Sequence, residues 1–578
     1  MRKLLTGNEA IARGAYEAGV RVACAYPGTP STEILENIAQ YAEIDSQWST
    51  NEKVSVEVAQ GACFAGARVL VAMKHVGVNV AADPLFTLGY NGVNGGFIFV
   101  SADDPGMHSS QNEQDNRYYA KFMKAVLLEP SDSQEAKDLV GQGLEISEQF
   151  DTPVLLRTTT RISHSKSLVS LSPRQDIPLK PYEKNPVKNF VMPAHQRLKR
   201  PGIEDRLQRL ANYADTFLGN RVEEGGAEFA VITSGPGYLY AKEALGDRAT
   251  YLKLTMTWPL PAGLIGDFIE KHGKVYLIEE GEPFLEEQIK ALGLPVIGKE
   301  LFPRVGELSA AIVREKLLGV TLPRLNVDCS AVPGRPPVLC AGCPHRGVFA
   351  MVAKSADIVT SDIGCYSLGF MPPLNVGDTC IDMGASIPNA LGFAKVLPDR
   401  KIVATIGDST FLHSGITGLI DLVYNQGAVT VVILDNRITG MTGHQQNPAS
   451  GFDIHGKPAP QVDLERIVSA CGITSLWTVD AYDLAETNAA LQAALASGGP
   501  AVVIARRPCI LIERNAVREP LEINADLCKR CKACLKVGCP AIEFSGGVVR
   551  IDSVMCTGCG VCRQVCKFGA MRKAGAAQ

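Results

Sequence analysis

The sequence predicts a multidomain α/β protein in which doubly wound parallel sheets are followed by a small cysteine-rich tail. Three observations carry this. Apolar runs of strand length, each ending in polar or Gly/Pro residues, alternate with helical stretches over residues 1–165 and again over 335–515. The stretch KIVATIGDSTFLHSGITGLIDLVYNQGAVTVVILDNRITGMTG (401–443) is a strand–turn–helix–strand unit with polar groups only at the carboxyl ends of its strands. Residues 520–578 carry eight cysteines as an internal repeat.

At 578 residues, with 46 % hydrophobic and 20 % charged positions, the chain can bury several cores. A net charge of −4 points to neither nucleic acid nor membrane as a partner. No apolar run reaches the roughly 18 residues of a membrane-spanning helix, and charges interrupt MRKLLTGNEAIARGAYEAG too early for a signal peptide. Seventeen cysteines without an export signal suggest metal or redox chemistry in the cytoplasm, in an oxygen-avoiding setting, instead of disulfides.

Over 1–165, VRVACAYP, RVLVAMKH, GGFIFVSADDP and TPVLLRTTT read as buried parallel strands of one doubly wound domain. YPGTPSTE (26–33) follows a strand and opens a helix at Ser31 or Thr32. Asn51-Glu52 opens KVSVEVAQGACFAGA, whose small residues suit a helix packed closely on its neighbours. From this segment alone Glu52 reads equally as a first-turn glutamate favoured by the helix dipole. His75, Asn79 and His108 lie just past strand ends, as pocket residues or as ordinary surface and core ones. Residues 166–225, rich in Pro, Lys and Arg, read as a linker over the surface. A smaller α/β domain follows at 226–330 with strands EFAVITSG, RATYLKLT and KVYLIEEG; Glu279-Glu280-Gly281 at the end of the last is a possible contact site.

Residues 335–515 form a second doubly wound domain on DIVTSDIGC, KIVATIGD, VTVVILDN and PAVVIARR. Asp408 and Asn436 end two of its strands and face one point, although 28 positions separate them. A carboxylate, an amide oxygen and a backbone carbonyl are the hard ligands that Mg²⁺ accepts while it also holds a diphosphate. Here the sequence resembles the thiamine diphosphate enzymes, whose motif runs from GDG or GDS to NN. That resemblance implies Asp408, Asn436 and the Ile438 carbonyl as Mg²⁺ ligands, with Gly407, Ser409, Thr442 and Gly443 near the diphosphate. Ser409 replaces the second Gly and Asp435 the first Asn, and neither change removes a ligand.

In the tail, Cys528-x₂-Cys531-x₂-Cys534-x₄-Cys539-Pro540 precedes Cys556-x₂-Cys559-x₂-Cys562-x₃-Cys566. The spacing is that of bacterial two-cluster ferredoxins, where the fourth Cys of each run ligates the other cluster. One [4Fe-4S] cluster is then held by Cys528, Cys531, Cys534 and Cys566, the other by Cys556, Cys559, Cys562 and Cys539. The x₄ before Cys539, and Lys567 where Pro is usual, depart from the pattern and leave the ligand count intact. Nine basic against four acidic residues make the tail +5, a face suited to an acidic electron carrier or simply a solvated surface.

The motifs GNEAIARGAYEAGV, YPGTPSTEI, KHVGVNVAADP, SADDPGMHSSQNEQDNR and CAGCPHR, with the order of modules, closely resemble the 2-oxoacid:ferredoxin oxidoreductases over essentially the whole chain. The resemblance implies pyrimidine-binding (1–165) and diphosphate-binding (335–515) domains, a transketolase C-terminal-like domain (226–330) and a two-cluster ferredoxin-like domain (520–578). It implies Glu52 as the carboxylate that activates the thiamine pyrimidine, and Thr29 as a contact to substrate or cofactor. A third [4Fe-4S] cluster near the coenzyme falls by alignment on Cys340, Cys343, Cys365 and Cys509. A zinc site on the CxxC pair, or unliganded thiols, remain open for these residues. Cys24, Cys63, Cys329, Cys380 and Cys471 are expected as isolated, buried small hydrophobes. The resemblance further implies arylpyruvates as the 2-oxoacid substrates, coenzyme A as acyl acceptor, ferredoxin as electron acceptor and a smaller beta subunit. Three other readings stand beside it: the same chemistry on another 2-oxoacid, a non-oxidative thiamine diphosphate decarboxylase, and a non-catalytic electron-transfer subunit.

Overall fold

The structure, a computed structural model, describes residues 1–323, 327–513 and 519–574. It divides into two compact units, Met1–Val327 and Asp328–Gln578.

The first unit is built on a seven-stranded sheet. Its order is Met256–Trp258, Val126–Leu128, Val154–Thr159, Phe97–Asp103, Val69–Lys74, Val22–Ala25 and Asp45–Trp48. Neighbours run parallel except Met256–Trp258, which lies antiparallel to Val126–Leu128. Phe97–Asp103 is buried along its whole length, as a strand covered by helices on both faces must be. Parallel pairing brings the loops after Ala25, Trp48 and Lys74 to one edge, so residues 26–33, Asn51-Glu52 and His75 share it. The helices start where side chains satisfy their free amides: Thr6 and Glu9 form a capping box, Asn51 Oδ1 accepts from Val54 N (2.9 Å), and Asp132 accepts from Glu135 N (2.9 Å).

Residues 166–225 hold more regular structure than their composition suggests. Lys166–Ser170 pairs antiparallel with Arg2–Thr6, and Pro193–Thr216 is a 24-residue helix. Ile203, Arg206, Leu210 and Ala214 form its buried stripe, and Arg206 donates to the Gly89 and Asp151 carbonyls. The polar first half and Pro201 hide this stripe from a periodicity reading.

Within the same unit, Val275–Ile278, Phe229–Ser234 and Ala249–Leu254 make a parallel sheet edged by the antiparallel Arg221–Glu223. A buried ionic network ties this sheet to the larger one. Arg117 pairs with Asp115 and with Glu279 (2.8 Å), and Arg157 with Asp103 (2.7 Å) and Glu129 (2.8 Å). Removing one member of such a network costs about 3–5 kcal/mol, because its partner stays buried and uncompensated. Glu279 thus serves internal packing, accepting also from Leu285 N and Glu286 N.

Burial pushes the neighbouring Glu280 carboxyl up to about 6. A carboxyl raised above its unfolded value of 4.5 contributes stability that is complete below pH 4.5 and is lost as pH climbs through 6. Glu280→Gln is therefore expected to unfold at higher denaturant than the parent at pH 8, by about 1–2 kcal/mol, and at the same denaturant at pH 4. A difference that does not vary with pH would contradict this.

The second unit carries an all-parallel six-stranded sheet. Its order is Thr379–Cys380, Ile358–Ser361, Ile402–Gly407, Thr430–Asp435, Ala501–Arg506 and Ser475–Asp480. After Gly407 the chain turns into helix through Asp408–Thr410, one turn of π-helix (Phe411–Gly415), and Ile416–Tyr424. The tail is two antiparallel ribbons, Leu521–Ile523 with Met571–Lys573 and Ile542–Ser545 with Val548–Ile551. Val537 and Val561 of the tail share a core with Val348, Phe349 and Leu484 of the sheet domain. Gln564 adds hydrogen bonds to Leu484 N (2.9 Å) and the Tyr482 carbonyl (2.7 Å).

Candidate active site and cluster-binding loops

Ile402–Gly407 and Thr430–Asp435 are adjacent parallel strands, so Asp408 and Asn436 leave the sheet side by side. One end of the Asn436 carboxamide lies 2.8 Å from the Ile438 carbonyl oxygen and 3.1 Å from Asp408 Oδ1. With its NH₂ there the amide donates to both. With its oxygen there, three oxygens surround one point, an arrangement only a cation makes favourable. Asp408 is 2 % exposed, and its Oδ2 has no hydrogen-bond partner. Burial, and then the Asp435 carboxylate, push the Asp408 carboxyl up to about 8. An orphaned carboxylate oxygen that resists ionisation without a counter-charge belongs to a donor set that fits a hard cation.

Asp435, where the motif has Asn, is held instead by Arg506 (2.6 Å) and Arg437 (3.3 Å), and Arg506 forks onto Glu465. Ser409 Oγ accepts from Thr439 Oγ1 (2.9 Å). The 439–445 loop is closed by reciprocal Thr439–Gln445 backbone bonds (3.0 and 3.2 Å), and Gly443 at φ 122° makes its turn. A Cβ on Gly407 would stand 2.6 Å from Tyr366 Cε1, so the ring covers the strand end only because that residue is glycine.

Two of the four scattered cysteines, Cys365 and Cys509, border this point. Cys509 N donates to the Asn436 carbonyl (3.0 Å), and a Cβ on Gly440 would lie 3.5 Å from Cys365 Sγ and 3.8 Å from Asn436 Nδ2. Cys343 N donates to the Cys340 carbonyl (3.1 Å), the tight turn of a CxxC pair. Burial pushes the Cys365 thiol up to about 11, with Cys509 and Cys340 adding to it; burial also pushes the Cys343 thiol up, the His345 amide and Arg346 oppose it, and Cys365 and Cys340 add to it. These are thiols gathered close enough to oppose one another's ionisation, which binding to iron would reverse.

In the tail, Cys528, Cys531, Cys534 and Cys566 line one small cavity walled by Ile523, Val549 and Met571. Burial pushes Cys562 up to about 12, and its next neighbours in effect are Cys559, Cys539 and Cys556. The cavity thus gathers one of the two four-cysteine sets named from the repeat, while Cys562 interacts with Cys559, Cys539 and Cys556 of the other set and with Cys534 of the first. Among the described residues no three His, Cys, Asp or Glu side chains close on a single ion, and a cubane instead gives each thiolate its own iron. Of the five isolated cysteines, Cys24 and Cys63 are buried and Cys471 partly so, whereas Cys329 and Cys380 are exposed. The expectation of burial fails there because Cys380 lies on a two-residue edge strand and Cys329 lies outside any strand or helix.

In the first unit Glu52 is the first residue of the helix Glu52–Phe64, 6 % exposed, against the helix His75–Asn91. A Cβ on Gly77 would come within 2.6 Å of Glu52 Oε1, so that glycine makes room for the carboxylate. Thr29 lies half-buried in the turn after Val22–Ala25, just before the helix Thr32–Ile38. His75 is fully buried and meets Asn112 at 3.2 Å. Asn79 and Gln114 exchange hydrogen bonds at 2.7–3.1 Å, and His108 pairs with Glu307 (3.2 Å). Sequence reasoning missed two supports. Asn8 Nδ2 donates to the Pro30 carbonyl (2.7 Å) and to Glu33 (3.0 Å), pinning the 26–33 loop. Asp362, inside DIGC, accepts from the Gly384 and Ser386 amides (2.9 and 3.0 Å).

Residues 13–205 match the family described as pyruvate flavodoxin/ferredoxin oxidoreductase, thiamine diP-binding. Residues 362–505 match the C-terminal TPP-binding domain of thiamine pyrophosphate enzymes, and 520–567 a 4Fe-4S dicluster domain. Together with the site these define a 2-oxoacid:ferredoxin oxidoreductase that uses thiamine diphosphate and iron–sulfur clusters. Indolepyruvate oxidoreductase subunit IorA of Archaeoglobus fulgidus is 42 % identical over 99 % of this chain and 97 % of its own. Its counterparts in Pyrococcus horikoshii (42 %, 99 % and 96 %) and Methanothermobacter marburgensis (40 %, 99 % and 98 %) are similarly close. The chain belongs to this IorA family of indolepyruvate oxidoreductase subunits. No helix among the described residues is long and apolar enough to cross a membrane.

Proposed function

We propose that the chain oxidatively decarboxylates arylpyruvates such as indolepyruvate, with coenzyme A as acyl acceptor and ferredoxin as electron acceptor. In balance, one 2-oxoacid, one coenzyme A thiol and two oxidised ferredoxins give one acyl thioester, CO₂, a proton and two reduced ferredoxins. The observation that carries this reading is the meeting of Asp408, Asn436 and the Ile438 carbonyl at one point, with Cys365 and Cys509 against it. Bound thiamine diphosphate supplies the nucleophilic carbon and the electron sink. The chain's part is to hold it. Asp408, Asn436 and Ile438 fix Mg²⁺ on the diphosphate, and Gly407, Ser409, Thr442 and Gly443 border it. Glu52 holds a proton at the pyrimidine ring, and Thr29 orients substrate or coenzyme. Cys340, Cys343, Cys365 and Cys509 hold a third cluster that takes electrons singly. The tail, at +5, receives an acidic ferredoxin. A smaller beta subunit completes the enzyme, and its setting is a reducing cytoplasm.

The aryl preference rests on the relatives' names and on the sequence resemblance. Anaerobic turnover of a panel of oxoacids, read by dye reduction with and without coenzyme A, tests it. Indolepyruvate is expected to be turned over faster than pyruvate or 2-oxoglutarate, and the reverse order would remove the aryl assignment. Iron analysis of the purified enzyme is expected to give about twelve atoms per chain, four for each cluster. About eight would leave only the tail pair.

A further inference from the structure

Arg346, three residues after Cys343, is 3 % exposed. A buried guanidinium cannot shed its proton and ordinarily meets a carboxylate. Here its hydrogen bonds go to main-chain carbonyls alone: Nε to Cys340 (2.8 Å), Nη2 to Leu339 and Nη1 to Gly538. Among the described residues no ion pair involves it. Two of its acceptors belong to the loop of Cys340 and Cys343, and the third immediately precedes Cys539. The 340–343 loop also meets the loop of Cys556 and Cys559, where a Cβ on Gly342 would fall 2.1 Å from Thr557 Oγ1. Tyr482, whose hydroxyl donates to the Gly342 carbonyl (2.6 Å), fixes that contact. Burial, the largest influence, draws the guanidinium's pKa down, and Cys343, Cys539, Cys340 and Cys559 act against it in favour of the charge. They come from both cysteine sets.

We infer that Arg346 is a positioning residue for electron transfer, whose one fixed positive charge serves two clusters at once: that of Cys340, Cys343, Cys365 and Cys509, and that of Cys539, Cys556, Cys559 and Cys562. The inference rests on the reading that the first set holds a cluster. The physical reason is charge. Each cluster gains one negative charge when it takes one of the two electrons released by decarboxylation, and a buried cation between the two stabilises both reduced forms. Unpaired, the guanidinium would be an uncompensated buried charge; clusters with anionic thiolates on both sides supply the compensation.

The test is an EPR-monitored redox titration of the anaerobically purified holoenzyme, with iron counted in every sample. In Arg346→Gln, at a fixed ambient potential, the ratio of reduced to oxidised cluster is expected to fall roughly tenfold for two of the three signals. For a one-electron couple that is about 59 mV. Arg346→Lys, which keeps the charge and loses the fork, is expected to stay within threefold of the parent. Twelve irons with unmoved signals in Arg346→Gln, or a shift confined to one signal, overturns the inference. Should Arg346→Gln lose iron, Arg346→Lys decides. Iron retained at near-parental potentials supports the electrostatic role, and iron lost there too means that the residue only ties the loops together. A parent enzyme with eight irons removes instead the reading that Cys340, Cys343, Cys365 and Cys509 hold a cluster, which is a different failure.

Discussion

Replacing Glu52 by Gln is expected to lower kcat for 2-oxoacid-dependent dye reduction by about 10²–10⁴-fold, the range attributable to a positioned acid–base group. The substitution conserves shape, so the packing against Gly77 and the helix start at Asn51 are retained. The amide still accepts a hydrogen bond but neither takes nor gives a proton. Thermal unfolding and thiamine diphosphate affinity should therefore remain within a few-fold of the parent while turnover collapses. A variant that keeps a third or more of parental kcat would assign Glu52 to helix stability and leave the activating carboxylate elsewhere.

The second large effect is expected at Asp408. Asp408→Asn should weaken magnesium-dependent retention of thiamine diphosphate a hundredfold or more, because the carboxylate at the three-oxygen point is gone. In the cofactor-free protein the sign reverses. The Asp408 carboxyl, raised to about 8 from an ordinary 3.8, contributes stability that is whole below pH 3.8 and disappears as pH rises through 8. The neutral amide suffers no such loss. Chemical denaturation without metal should find the Asp408→Asn variant at least as stable as the parent at pH 8.5, with the advantage shrinking towards pH 5. Coenzyme retained at parental affinity after dialysis would eliminate Asp408 as a ligand.

Much of this architecture was legible because the strands beneath the site are buried on both faces. Ile402–Gly407 and Thr430–Asp435 have to be apolar, and their ends have to be polar, so the 408/436 pair announces itself locally. The edge strand Asp45–Trp48, with sequence DSQW, has no such requirement and carries no apolar run. Ser475–Asp480, partly exposed at the other sheet's margin, was hidden for the same reason. The helix Pro193–Thr216 escaped because only one narrow stripe of it is covered. At the site, the residues named from motifs were those set by short-range spacing. Asn8 reaches Pro30, 22 positions on, and Arg346 reaches Gly538, 192 positions on; contacts of that span leave no periodic trace. The dicluster character of the tail was readable because the spacing of the repeated cysteines is local in the sequence.

The core that Val537 and Val561 share with Val348 and Leu484 has a kinetic corollary. Carrier modules on flexible tethers must search for their docking partner in every cycle, and that diffusion limits throughput. Here the cysteine-rich appendage is wedged into its neighbour, so the spacing between its loops and the sheet domain is constant from one catalytic round to the next. Throughput is then governed by driving force and by arrival of the external acceptor, and viscosity should slow only the latter.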